Sequence, residues 1–180
     1  IVMSEVSESI PEEVLVHLAF GSNLGNRVEL LGNAFQELEE LPLTRLARSP
    51  VVESSPLLGL DQPKFLNQVV CGYTVLGPNV LLRECLEIEA RLGRVRGEHW
   101  KPRTMDIDIL SYGSHVISLE SLRIPHPELE KRAFVLLPLK ELSPGWVHPL
   151  TGLSIETLWE HWKKGSREPL PRMIGATGKT

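Results

Sequence analysis

The stretch FLNQVVCGYTVLGPNVLLRECLEIEARLG, Phe65–Gly93, decides the fold. Phe65 to Val75 alternates as a strand, with Phe65, Asn67, Val69, Cys71 and Tyr73 on one face. Gly77-Pro78 then opens a helix. Its apolar stripe is Leu81, Cys85, Ile88 and Leu92, and Gly93 ends it. Working outward toward the N-terminus, Pro56 to Pro63 (PLLGLDQP) reads as a loop and Leu46 to Ser54 as another strand. Arg27 to Leu41 has helical spacing: Leu30, Ala34 and Leu38 form one row, Leu31 and Phe35 the next, and Pro42 stops it. Val14 to Phe20 (VLVHLAF) is a strand that runs into the turn cluster Gly21-Ser22-Asn23.

Outward in the other direction, Arg94 to Arg103 is polar and basic, and Asp106 to Tyr112 (DIDILSY) is a strand. Pro125-His126-Pro127 introduces a helix through Leu142, and Ile155, Leu158, Trp159 and Trp162 form a core-facing helical stripe. The order is strand, helix, strand, strand, helix, strand, then helical additions. Such a βαββαβ order predicts an α+β sandwich with a mainly antiparallel sheet.

The 180 residues suffice for one domain with a single sizeable core. We expect that domain over 14–165, with a disordered acidic tail over 1–13 and a weakly ordered tail over 166–180. A hydrophobic fraction of 42% with 23% charged residues is that of a soluble globular protein. The net charge of −4 argues against nucleic acid or anionic membrane as a partner. Any polyphosphate must therefore be met by a local cluster of Arg and Lys. Cys71 and Cys85 lack metal-ligand spacing and are expected to be buried, reduced core residues. No apolar run approaches the ~18 residues of a membrane span, and the first residues carry no signal-peptide core, so a cytoplasmic location is expected.

The richest chemistry lies in Arg94 to Leu110, RVRGEHWKPRTMDIDIL. The period of two puts Asp106 and Asp108 on one strand face and Ile107 and Ile109 on the other. Adjacent carboxylates repel unless a cation holds them, and a hard divalent ion such as Mg²⁺ fits oxygen ligands. The alternative is a solvated edge strand bearing two surface acids. Arg94, Arg96, Lys101 and Arg103 lie just ahead of the acids. Guanidinium forks bind phosphate oxygens, and cations beside metal-holding acids are what phosphoryl transfer requires. Read without the acids, the basic run is a mobile surface loop, but Trp100 within it calls for something to pack on. His126 stands between two prolines, with Arg132 following it; a lone His is more often structural. Phe65 and Asn67 share a face, and an aromatic plate beside an amide suits a flat heterocycle, with a core aromatic as the alternative. Gly21-Ser22-Asn23-Leu24-Gly25 lacks the features of a phosphate loop and reads as a structural turn.

Taken together, AFGSNLGNR, SSPLLGLDQPKFLNQVV, GRVRGEHWKPRTMDIDIL and RIPHPELEKRAFVLLPL resemble the 6-hydroxymethyl-7,8-dihydropterin pyrophosphokinase family. The resemblance runs from about Val14 to about Pro149, and its most specific element is Pro102-Arg103-x-x-Asp106-x-Asp108 followed by aliphatic residues. It implies a ferredoxin-like fold. It also implies transfer of pyrophosphate from ATP, as co-substrate, to the pterin hydroxymethyl group with release of AMP, a step of folate synthesis. Asp106 and Asp108 match the acids that hold two Mg²⁺ ions. Arg94 and Arg103 match catalytic arginines that contact the triphosphate, and Trp100 matches the tryptophan that closes over it. Glu89, His126 and Arg132 match residues at the ATP site. Phe65 and Phe134 match the aromatics that sandwich the pterin, Asn67 the amide that reads it, and Ser54, Pro56 and Leu57 its loop. Lys101 departs from the usual Gly or Ala, and the Arg96–Trp100 loop is one residue short of a well-known form. The expected partners are the two small substrates, and the expected state is a monomer. Two rivals are a metal-dependent nucleotidyltransferase using the Asp-x-Asp pair and a ferredoxin-like RNA-binding module.

Overall fold

The computed structural model describes residues 12–55, 61, 63–93 and 105–174. Strand β1 (Val14–Ser22) leads into helix α1 (Arg27–Glu39), followed by β2 (Leu43–Arg48), β3 (Val51–Ser54), β4 (Phe65–Thr74) and α2 (Pro78–Arg91). Then come β5 (Asp106–Tyr112), a small hairpin of β6 (Ile117–Ser118) and β7 (Arg123–Ile124), a 3-10 turn (Leu129–Lys131), α3 (Ala133–Leu142), α4 (Ile155–Gly165) and β8 (Arg172–Ile174). The main sheet runs β5-β1-β4-β3-β8, with β2 also on β4, and its pairings are antiparallel. The partner of β1 is thus β4, and α1 carries the chain past it; both βα units are split, as expected of a ferredoxin-like sandwich.

Local chemistry sets the helix ends. The Asn26 side chain accepts from the Glu29 N–H at 3.2 Å and donates to the Glu29 carboxylate at 2.9 Å, so α1 starts on a reciprocal cap. Pro78 begins α2, where its missing N–H costs nothing. Two apolar cores form, one on each face. Val16, Leu18 and Phe20 of β1, with Leu66, Val70, Ile107 and Ile109, pack under α1 and α2. Val69, Val52 and Leu110 pack under α3 and α4, against Leu136, Leu139, Leu158 and Trp159. Burial on both faces explains why VLVHLAF is apolar nearly throughout. His17 is the exception. Both its ring nitrogens meet serine hydroxyls, Ser111 at 3.0 Å and Ser143 at 2.9 Å, and burial lowers its pKa to about 4.

The helix expected from Pro125-His126-Pro127 through Leu142 starts only at Ala133, after the 3-10 turn and an extended Arg132. Three further features differ from the expectation. The strand expected over Leu46–Ser54 is two strands. Pro50 offers no N–H, and the Ser49 hydroxyl fills the gap by accepting from the Val69 N–H at 2.9 Å while donating to the Pro50 carbonyl at 2.8 Å. The segment after Gly165, read as a loose tail, contributes β8, which pairs with the outer edge of β3. Cys85 is buried as expected, but Cys71 is only partly buried.

The Ser49 hydroxyl is fully buried. Ser49→Ala should therefore orphan the Val69 N–H and lower stability by about 1–3 kcal/mol. Urea unfolding of the two proteins measures it, and an unchanged midpoint would show that the break tolerates the loss.

Candidate active site

The site lies at the end of the sheet where β1 meets both neighbours. Gly21 pairs with Asn67 of β4 on one side and with Asp106 of β5 on the other. Asn67 in turn pairs with Val52, and Phe65 with Ser54. Opposed residues in a ladder share a face, so Ser54, Phe65, Asn67, Gly21, Asp106 and Asp108 all belong to the α3 side. A Cβ on Gly21 would lie 3.3 Å from Asn67 Oδ1 and 3.7 Å from the Phe65 ring. Gly21 is therefore the floor of a recess between an amide and an aromatic on one side and an acid on the other. By sequence alone Gly21 belongs to a turn cluster. The available signal was a glycine at the end of a strand, which marks close approach of another group. Asn67 is buried, and its Nδ2 donates to the Ser54 hydroxyl at 2.8 Å, which fixes the amide plane.

On the acid side, Asp108 Oδ2 lies 3.7 Å from Arg132 Nη1 and 3.8 Å from His126 Nε2. His126 is held from both ends. Its backbone N–H donates to the Leu110 carbonyl at 3.0 Å, and its Nδ1 accepts from the Glu128 N–H at 3.1 Å. That second bond leaves the proton on Nε2, the nitrogen that faces Asp108. Burial, and then the Arg132 charge, lower its pKa to about 4. At neutral pH His126 is thus an uncharged N–H donor, and its contact with Asp108 is not an ion pair. Arg132 forms the N-cap of α3, and its guanidinium sits 5.9 Å from the Phe134 ring, so one helix start presents both.

Asp106 and Asp108 are both part-exposed. Among the described residues no group of three or more His, Cys, Asp or Glu could hold a metal. Mg²⁺ does not need one: it binds one or two carboxylates and completes its shell with water and substrate phosphates. Two hard carboxylates on one open strand face fit that ion. Glu89, which the resemblance assigns to ATP, is buried on α2; its Oε1 accepts the Ile107 N–H at 2.7 Å. It ties down the backbone of edge strand β5 between the two acids. Pro56, Leu57, Arg94, Trp100 and Arg103 lie outside the described residues.

An aromatic and an amide beside paired acids is one arrangement; its relatives are another. Residues 17–144 match the family described as 7,8-dihydro-6-hydroxymethylpterin-pyrophosphokinase. The chain belongs to that family. Its members are ATP-dependent diphosphokinases of folate biosynthesis, and neither the nucleotidyltransferase nor the RNA-binding reading is favoured. The 2-amino-4-hydroxy-6-hydroxymethyldihydropteridine pyrophosphokinase of Pseudomonas aeruginosa is 45% identical over 130 residues, covering 72% of this chain and 80% of that protein. The folic acid synthesis protein fol1 of Pneumocystis carinii is 42% identical over 154 residues. That match covers 86% of this chain but 21% of that protein, so the chain spans about a fifth of its length. Among solved structures, the Plasmodium falciparum HPPK-DHPS wild type with pteroate superposes with a TM-score of 0.69 at 15% identity. It covers 86% of this chain and 43% of that one, a likeness of fold. No helix among the described residues is long and apolar enough to cross a membrane.

Two substitutions test the recess. Phe65→Ala should weaken binding of the hydroxymethyl pterin by about 1–3 kcal/mol through lost stacking and burial. Gly21→Ala should also weaken it, because the new methyl presses on Asn67. Calorimetric titrations of pterin and of Mg·ATP check both. Equal losses for the two ligands would mean that the recess does not hold the pterin.

Proposed function

We propose that this chain moves the terminal two phosphates of ATP, as pyrophosphate, to the hydroxymethyl group of 6-hydroxymethyl-7,8-dihydropterin. One observation carries the reading: Gly21 pairs with both Asn67 and Asp106, so a heterocycle site and an acid pair flank one recess. A pterin stacked on Phe65 and read by Asn67 would hold its substituent toward Asp106 and Asp108. Phe134 would close the other face of the ring, and Ser54, Pro56 and Leu57 would line its edge.

The hydroxyl oxygen attacks the β-phosphorus, the bond from that phosphorus to the α–β bridging oxygen breaks, and AMP leaves with that oxygen while the hydroxyl proton passes to solvent. Asp106 and Asp108 would hold Mg²⁺, two ions in the reading favoured here, which when bound neutralise the phosphates and make the hydroxyl more nucleophilic. Arg132 contributes a fixed positive charge at the edge of the acid pair. His126 contributes an N–H that donates without adding charge, a role that its hydrogen bond from Glu128 supports. Glu89 keeps the β5 backbone in place at the ATP side. Arg94 and Arg103 would offset the charge that grows on the leaving phosphate, and Trp100 would help to keep out water, a competing nucleophile. No side chain need act as a general base. A monomer in the cytoplasm suffices for this reaction, since every assigned residue lies in one chain.

The acid pair gives the decisive test. Asp106→Asn keeps size and shape but removes one anionic ligand, so Mg·ATP affinity should fall and turnover should drop by several powers of ten. Stability without ligand should hold or rise slightly, because a repulsion between neighbours is relieved. AMP formation across a magnesium titration, beside melting without metal, reads both effects. Wild-type turnover with an unchanged magnesium requirement in the folded variant would return the two acids to an ordinary surface role. Pyrophosphate appearing in place of AMP in the wild type would favour nucleotidyl transfer.

A further inference from the structure

Arg27, the first residue of α1, is joined to two strands at once. Its Nη1 donates to the Lys64 carbonyl at 2.7 Å and lies 3.4 Å from the Glu53 carboxylate. Lys64 directly precedes Phe65, and Glu53 stands between Val52 and Ser54. The Glu53 side chain is only 14% exposed and gathers two more cations: Lys64 Nζ at 3.9 Å and Arg172 Nη2, from β8, at 3.3 Å. Helix α1, strands β3 and β8 and the entry to β4 thus converge on one carboxylate.

The pleat decides which side this cluster occupies. Glu53 pairs with Leu66, and Leu66 belongs to the core under α1 and α2. The cluster is therefore on the α1 face, while Ser54, Phe65 and Asn67 project from the other. Position along the ladder matters as much. The β3–β4 pairing ends at Ser54 and Phe65. The Lys64 carbonyl is the first beyond it, and Arg27 takes it. One guanidinium nitrogen, Nη1, both donates to the carbonyl and faces the carboxylate, so a single group joins the two chain ends. An exposed ion pair would contribute little, but this one includes a backbone bond and a mostly buried acid.

We propose that Arg27 and Glu53 are positioning residues for the pterin. From behind the sheet they brace the end of the β3–β4 ladder, where Ser54 pairs with Phe65, and through the Ser54 hydroxyl the plane of the Asn67 amide. The proposal rests on the assignment of Phe65 and Asn67 to the pterin. It gives a function to a cluster on the face opposite Phe65 and Asn67, and it makes β8 part of the support through Arg172.

The test compares Arg27→Ala, Arg27→Lys and Glu53→Gln with wild type, and with Phe65→Ala as a reference. Each is titrated with 6-hydroxymethylpterin in the presence of magnesium and a non-hydrolysable ATP analogue. KM and kcat for both substrates and the melting temperature are measured alongside. Arg27→Ala should raise the pterin Kd and KM roughly tenfold, with kcat and the ATP constants little changed. Arg27→Lys should recover part of the loss, since it keeps a donor for the Lys64 carbonyl. Glu53→Gln, which keeps the shape of the side chain, should raise the pterin Kd in the same direction and serves if the alanine variant does not fold. A lower melting temperature with unchanged pterin constants, or equal losses for pterin and ATP, would reduce the cluster to a structural one and overturn the proposal. Wild-type pterin affinity in Arg27→Ala and Glu53→Gln, beside a loss in Phe65→Ala, would overturn it while sparing the site. Unchanged affinity in Phe65→Ala would overturn the site assignment itself.

Discussion

Gly21 is paired on both sides at once, and the rest of the site follows from that double register. Asn67 stands across from it on β4 and Asp106 on β5. Because side chains alternate along a strand, a slip of one residue in either pairing would turn a whole set to the opposite face. Asp106 and Asp108 would then face the core under α1 and α2, and Ile107 and Ile109 the recess. Charged groups in the apolar core would be costly, so the core that buries Ile107 and Ile109 also holds the acids in position. The register does shift between His17 and Leu18, farther along β1, and there the extra residue on β5 is accommodated away from the recess.

Support for the site comes from the backs of its strands. Glu89 takes the outward N–H of Ile107, between the two acids, and Arg27 takes the Lys64 carbonyl just ahead of Phe65. In both cases a helix residue satisfies a backbone group that the ladder leaves over. At Ile107, where the N–H is buried, such a group is expensive to leave unpaired, so the requirement of the backbone and the demand for a rigid site are met by the same bond. On the open face, α3 presents Arg132 and Phe134 from its first turn, and the apolar remainder of the helix fixes that end by packing on the second core.

The main architecture was legible because it rests on period and punctuation. Val14–Phe20, Phe65–Val75 and Asp106–Tyr112 are strands within a residue or two of their expected bounds, and α1 and α2 begin where Asn26-Arg27 and Gly77-Pro78 indicate. The features with no local signature depend on partners. The split at Ser49-Pro50 needs the Val69 N–H opposite to make sense, and β8 is three residues whose only distinction is the free edge of β3. Gly21 looked like a turn residue because a local pattern cannot say which side chain would meet its missing Cβ.

By itself the sequence determined the kind of chemistry. Two carboxylates at a spacing of two, a basic run before them and an aromatic with an amide on one strand face are facts of order and type, and the period of a strand turns order into a shared face. It determined the family for the same reason, since four motifs in fixed order survive without any coordinates. Only the tertiary structure decided that Asn67 and Asp106, far apart in the chain, are the two neighbours of one glycine. It alone decided that His126 is a neutral donor and that Arg27 reaches behind Phe65. Those outcomes depend on pairing register, burial and the geometry of hydrogen bonds between distant segments, and none of these is a property of a local stretch of chain.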